Sequence, residues 1–291
     1  MIPRLIRSSL GEMTDLAGQL WEARRSGGVV HLDNVDHPKS SKEAYAIQQK
    51  IAALCGQATR GFKVGSTSME AQRLLGTNEP GSALLLAPYV YESPARILIE
   101  PAHTPAVEGE FAFKLGRDLP PRAAPYASDE IADAVVAVAG AIEVVGTRFF
   151  GGLAGKGRLL VTADCGANIA FVGGPWRYDL GSLDLKKHSV TMTVNGVLRG
   201  KGTGARALGD PMNVLLWLAN QQSADGRGLK SGEIVSTGTC TGLDPVIRGD
   251  RFQADFGDRA PLKSRSRNLT HLRRREDMAL ERASAIAASS G

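Results

Sequence analysis

The stretch Val107-Glu108-Gly109-Glu110-Phe111-Ala112-Phe113-Lys114-Leu115 constrains the fold more than any other. Side chains of a β-strand alternate between two faces, so Val107, Gly109, Phe111, Phe113 and Leu115 share one face while Glu108, Glu110 and Ala112 share the other. The first face demands a core. The second sets two carboxylates roughly 7 Å apart along the strand, with only a glycine between them. Two such anions, once buried, must share a proton or bind a cation, and hard divalent ions favour oxygen ligands of this kind. A solvated edge strand would carry the same pattern with no cation at all. The choice between the two has to come from the rest of the chain.

With 291 residues, 43% of them hydrophobic, the chain can bury the core of one large domain or two ordinary ones. Cys55, Cys165 and Cys240 form neither a disulfide framework nor a Cys-x-x-Cys metal pattern, which suits a reducing, cytoplasmic setting. The opening residues lack a signal-peptide core and no run reaches membrane-spanning length, so a soluble protein with no membrane partner is expected. The net charge of +5 is local: from Arg259 onward eight Lys and Arg residues face three Asp and Glu, which accounts for all of it. A basic tail on a neutral body reads as a solvated appendage, and no nucleic-acid partner is expected.

Apolar residues at helical spacing predict helices over 11–26 and 41–54, the second capped by Ser40 or Ser41. Gly61-Phe62-Lys63-Val64-Gly65 reads as a short strand that sets a lysine between apolar residues. A short helix over 68–75 and strands over 83–90 and 96–100 follow. From Ser128 a helix is expected to run to about Gly140 with Ile131, Val135 and Val138 on its core face. Ala141-Ile142-Glu143-Val144-Val145 is a buried-looking strand whose single carboxylate, among β-branched neighbours, needs a partner. The glycine-rich 149–157 lacks the spacing and the Ser or Thr of a phosphate loop and reads as a mobile loop over the site. Strands over 169–172 and 189–194, an Asn195-Gly196 hairpin turn, a helix from Pro211 to Gln221, and strands over 233–236 and 251–256 complete the pattern. Thr237-Gly238-Thr239-Cys240-Thr241-Gly242, rich in hydroxyls and backbone N–H groups, suits a carboxylate ligand. Many strands with few βα alternations indicate an α+β fold.

Four segments, Gly61–Gly65, Val107–Glu110, Ala141–Val145 and Thr237–Gly242, occur in an order and spacing that resemble the fumarylacetoacetate hydrolase superfamily, and within it the branch of 2-keto-4-pentenoate hydratases and 4-oxalocrotonate decarboxylases. The resemblance implies a mixed, mostly antiparallel β core with flanking helices. It divides the chain into a small helical N-terminal region (1–85), a catalytic region (86–258) and a basic, flexible tail (259–291). It implies that Glu108, Glu110 and Glu143 hold Mg²⁺ or Mn²⁺, and that Lys63 and Asp164 are catalytic. Gly238 and Thr239 would donate to the carboxylate of a 2-oxo acid substrate. The implied reaction is addition of water to an unsaturated 2-oxo acid through a metal-stabilised enolate. Decarboxylation of 4-oxalocrotonate-like diacids, acylpyruvate hydrolysis and non-catalytic oxo-acid binding remain alternatives, and a homodimer or larger homo-oligomer is expected. Three departures stand out: Gly81 occupies the position of a family acid in Glu79-Pro80-Gly81, the family's Asp-Asn-Ala-Ser-like segment is here Asp164-Cys165-Gly166-Ala167-Asn168, which keeps Asp164 but alters its neighbours, and the tail after Asp258 becomes Arg-rich, either unstructured or helical over 276–287.

Overall fold

The computed structural model describes residues 15–181 and 183–257, and the backbone of 262–267. Two helices come first, α1 (Leu16–Ser26) and α2 (Ser41–Cys55). Ser40 Oγ accepts the Glu43 N–H at the start of α2, and Gly56 closes it in the left-handed region, which satisfies orphan groups at both ends. Then come β1 (Thr59–Gly65), α3 (Met69–Leu75), β2 (Gly81–Leu86), β3 (Val90–Glu92), β4 (Ala95–Leu98) and β5 (Ala106–Leu115). After these lie α4 (Ser128–Ala134), β6 (Val135–Val145), α5 (Gly157–Ala163), β7 (Asn168–Gly173), β8 (Ser189–Val194) and β9 (Val197–Thr203). The last elements are α6 (Pro211–Ala224), β10 (Ile234–Thr239), β11 (Asp244–Pro245), β12 (Arg251–Asp255) and β13 (Leu262–Arg267).

The strands form two sheets. One runs β2-β1-β10-β5-β6-β7-β3 with β11 beside β5; the other runs β4-β13-β12-β8-β9. The pairs β1/β10, β3/β7 and β4/β13 are parallel and the remaining ones antiparallel, giving the mixed, mostly antiparallel α+β arrangement expected. Val107, Ile142, Val144 and Val172 of the first sheet meet Met192, Val194, Phe252 and Ala254 of the second in one buried cluster. Further along the same face of β5, Phe111, Phe113 and Leu115 join Leu215 and Leu218 of α6. Each buried phenylalanine there stabilises the fold by roughly 1.5–3 kcal/mol. This leaves the opposite face of β5 and β6 for the glutamates.

Three local expectations need correction. The helix expected to reach Gly140 stops at Ala134, and Val135 begins β6. Its β-branched run gains more from a ladder than from another helical turn, and β6 pairs with β5 from Leu115↔Val135 to Ala106↔Val145. The strand expected over 83–90 is broken by a 3₁₀ turn, Ala87–Tyr89, that contains Pro88. After the glycine-rich loop an unexpected helix, α5, covers 157–163, a seven-residue segment short enough that helical periodicity does not announce it. The division expected at 85/86 falls inside β2, which hydrogen-bonds to β1, and β1 to β10. Beyond 258, β13 inserts six residues of the expected tail between β12 and β4. The helix expected over 276–287 lies outside the described residues. No helix among the described residues is long and apolar enough to cross a membrane.

Candidate active site

Strand register assembles the acidic cluster. Glu108 of β5 lies directly opposite Glu143 of β6, while Glu110, one pleat further on the same face, is opposite Ala141 on one side and Thr239 of β10 on the other. Carboxylate oxygens of all three glutamates lie within 4.8 Å of one another. Glu110 and Glu143 are fully buried and Glu108 is partly exposed. Gly109 makes the close packing behind the pair possible, because a Cβ there would stand 3.1 Å from Val190 Cγ1 and from Thr241 Cγ2. Its N–H donates to Thr241 Oγ1 at 3.0 Å.

The carboxylates are held by fixed donors, with acceptor capacity to spare. Asn168 Nδ2 donates to Glu143 Oε1 at 2.8 Å. Lys63 Nζ stands 3.3 Å from Glu143 Oε2, but off the geometry of a hydrogen bond, and donates to Gly166 O at 2.9 Å instead. Glu110 Oε2 accepts from Ser236 Oγ and, at 3.1 Å, from the Gly238 N–H; Glu110 Oε1 is buried with no hydrogen-bond partner among the described residues. Orphaned buried acceptors are rare and destabilising. Burial, reinforced by the neighbouring anions, pushes Glu108 up to about 7, Glu110 up to about 8 and Glu143 up to about 7; Lys63 opposes the rise in all three. Burial pulls the Lys63 ammonium down, but Glu143, Glu110 and Glu108 outweigh it and leave its pKa above the ordinary lysine value. Three hard oxygen donors, with open acceptors at Glu110 and Glu143, are the donor set that a divalent cation such as Mg²⁺, Mn²⁺ or Ca²⁺ takes.

The other expected site residues separate into two groups. Lys63, Gly238 and Thr239 line one cleft together with Glu108. Gly238, however, spends its N–H on Glu110, so the donor expected for substrate instead orients a carboxylate. Its φ of +85° and the position of Thr67 Oγ1, 2.0 Å from where a Cβ would be, require glycine. Thr239 Oγ1 accepts the Gly242 N–H at 2.7 Å, which leaves its own proton for a ligand. Asp164 does not line the cleft. It is 1% exposed and accepts from Thr147 Oγ1, the Arg148 N–H and Arg148 Nε at 2.8, 2.8 and 2.6 Å. Arg148 Nη1 in turn donates to Asn168 O at 2.8 Å, so Asp164 touches none of the glutamates directly but is linked to Glu143 through Arg148 and Asn168.

The roles of Asn168 and Ser236 are not apparent from the sequence, although Ser236 directly precedes the segment 237–242 that carries the resemblance. Ser236 pairs with Lys63 on β1 and Ala112 on β5, so its position beside Glu110 follows only once register is known. Apolar side chains make up much of the remaining cleft wall, with Ala71, Leu74 and Leu75 from α3, Leu153 from the glycine-rich loop and Val161 from α5, and Ser66, Thr67 and Arg158 stand among them.

Comparison with known proteins agrees with this geometry. The family model described as fumarylacetoacetate (FAA) hydrolase C-terminal matches residues 58–274. The chain is 32% identical over 249 residues to the TodF product hydratase of Pseudomonas putida, covering 83% of this chain and 90% of that one. It is 32% identical to the 2-hydroxyhexa-2,4-dienoate hydratase of Comamonas testosteroni, covering 80% and 89%. Among solved structures, 4-oxalocrotonate decarboxylase from Pseudomonas putida G7, complexed with magnesium and adipate, shares the fold with a TM-score of 0.78 at 22% identity, over 86% of this chain and 95% of that one. The chain belongs to the fumarylacetoacetate hydrolase family.

Proposed function

We propose that this chain is a divalent-metal-dependent hydro-lyase that adds water to an unsaturated 2-oxo acid of the 2-hydroxypenta-2,4-dienoate type. The observation that carries this reading is the trio Glu108, Glu110 and Glu143, two of whose buried oxygens lack hydrogen-bond partners among the described residues, beside a cleft lined by Lys63 and Thr239. The hydratase names of the relatives support the reaction type. These three glutamates would hold Mg²⁺ or Mn²⁺. Such an ion supplies Lewis-acid stabilisation of the enolate that a 2-oxo acid forms.

The chain's own groups do the remaining work. Lys63, kept protonated by three neighbouring carboxylates, can anchor the substrate carboxylate or deliver a proton to the dienol. The Thr239 hydroxyl can donate a second hydrogen bond to the same carboxylate. Asn168 and Ser236 fix the carboxylate orientations of Glu143 and Glu110. Leu74, Leu75, Leu153 and Val161 cover the hydrocarbon part and limit access of water. Gly81 offers no proton-handling group, so that duty falls on Lys63. Decarboxylation of a 4-oxalocrotonate-like diacid would draw on the same groups, and release of CO₂ separates it from hydration.

The test is Glu110→Gln, which removes one ligand charge but keeps the shape. Metal-dependent turnover of 2-hydroxypenta-2,4-dienoate should fall about 10³-fold, matching the loss of several kcal/mol of charge stabilisation, and Mg²⁺ binding by calorimetry should vanish. Full activity of the unaltered enzyme in excess chelator would sink the reading.

A further inference from the structure

Between α5 and β7 the backbone passes through three consecutive left-handed residues, Cys165, Gly166 and Ala167, with φ of +48°, +62° and +58°. Glycine adopts this region freely, but Cys165 and Ala167 carry a Cβ, and such residues visit it singly when they visit it at all. Backbone of this kind persists only where its surroundings over-determine it. Arg148 is the brace: its Nη2 donates to Asp164 O at 2.6 Å just before the turn, and its Nη1 to Asn168 O at 2.8 Å just after it. Within the turn, Cys165 O accepts the Asn168 N–H and Ala167 O accepts the Gly146 N–H. Of these carbonyls, Gly166 O is the one given to a side chain of the cleft, and it accepts from Lys63 Nζ at 2.9 Å.

An ammonium is a point charge on a flexible stem, with three donors to place. The carboxylate oxygen 3.3 Å from Lys63 Nζ, Glu143 Oε2, is one of the two buried glutamate oxygens with no hydrogen-bond partner among the described residues. A closer ammonium would fill that acceptor and compete for it with a divalent cation. Asn168, which follows the turn, already fixes the other oxygen, Glu143 Oε1. Gly166 itself has no room for a side chain, because a Cβ there would stand 2.8 Å from Ala83 Cβ and 3.0 Å from Lys63 Cδ. The lysine stem and the carbonyl that receives its ammonium are therefore packed against each other.

We infer that the left-handed turn 165–167 is a positioning element that holds Lys63 off Glu143: Gly166 O takes one ammonium proton and leaves Glu143 Oε2 for the divalent cation. This rests on the functional reading above, in which the three glutamates hold that ion. Arg148 and Asp164, which touch neither the cleft nor the glutamates, then act on the site through the turn they brace.

A double-mutant cycle read by Mg²⁺ calorimetry tests it. Gly166→Ala sets a methyl against the Lys63 stem and should push the ammonium off the carbonyl. Combining it with Ala83→Gly, and comparing with Ala83→Gly alone, removes the 2.8 Å contact with Ala83 Cβ and keeps the test available if the single change folds poorly. With Lys63 present, the added methyl should weaken Mg²⁺ binding about tenfold, as loss of a group that orients a site does. In a Lys63→Met background no ammonium is left to compete, and the same methyl should change Mg²⁺ affinity by less than about twofold. Equal weakening in both backgrounds, which general distortion of the turn would give, or no weakening with Lys63 present, would overturn the inference while leaving the functional reading standing. Failure of the unaltered protein to bind Mg²⁺ would overturn that reading and this inference together.

Discussion

Two buried charge clusters lie side by side in this protein and are built on opposite rules. In the first, Arg148 and Asp164 are each 1% exposed, and their groups are matched. Both Asp164 carboxylate oxygens accept hydrogen bonds, and Arg148 also donates to the carbonyls of Gly146, Asn168 and Asp164. In the second, three glutamates face one ammonium, and two buried oxygens have no hydrogen-bond partner among the described residues. Burial therefore does not distinguish a structural cluster from a functional one. What distinguishes them is whether the polar inventory closes. The closed cluster needs nothing further, and the open one keeps acceptor capacity to spare.

The sharpest way to break this contrast is to delete one partner in each cluster. Arg148→Met should strand the Asp164 carboxylate in the interior and destabilise the fold by about 3–5 kcal/mol, read by denaturant unfolding. Removing a charge from the open cluster should do the reverse, since it relieves repulsion among the carboxylates. Metal-free Glu110→Gln should unfold at a higher denaturant concentration than the unaltered protein in the same metal-free buffer. A destabilised metal-free Glu110→Gln would show that the acidic cluster is closed by something other than a cation.

Protonation sharpens the same point. Without a cation, Glu108, Glu110 and Glu143 hold their protons up to about 7, 8 and 7, against an ordinary value of 4.5. The folded state then binds more protons than the unfolded chain between about pH 4.5 and pH 8. The contribution of these groups to stability is therefore present at the acid side and is lost as pH rises through that window. The melting temperature of the metal-free protein should fall from about pH 5.5 to about pH 8, and saturating Mg²⁺ should remove most of that slope. Metal affinity should rise about tenfold per pH unit for each proton displaced. A flat metal-free profile would mean that the three carboxylates are not titrating together.

These contrasts also show what the chain discloses without coordinates. The alternation at 107–115 was legible because a period of two has a single structural meaning, and Glu143 was legible because a carboxylate among valines must be answered by something. The location of Asp164 was not, because Arg148, which closes on it, is 16 residues away and is linked to it through a turn and a helix rather than along one element. Gly238 was recognised as a donor, but strand register gives its N–H to Glu110 instead of to substrate. At 135–138 the local pattern fitted helix and strand alike, and only the long ladder with β5 decides between them. Residues that act through their own element were readable; residues that act through pairing between distant strands were not.

Asn168 joins the two clusters and yields the smallest of the expected effects. Its side-chain amide donates to Glu143 Oε1, while its carbonyl accepts from Arg148 Nη1 and from Arg24 Nη2. Only the first of these contacts depends on the side chain. Asn168→Ala should therefore leave the Arg148–Asp164 cluster intact, lowering stability by about 1 kcal/mol for the lost hydrogen bond. Mg²⁺ affinity should weaken about tenfold, the lower end of what residues that orient metal ligands contribute, because Lys63 still faces Glu143. Paired calorimetry and denaturant unfolding separate the two readouts. If Asn168→Ala instead lost as much stability as Arg148→Met and kept its metal affinity, the amide would belong to the closed cluster. The boundary between the closed and open clusters would then lie at Glu143 itself, between the oxygen that Asn168 fills and the one that faces Lys63.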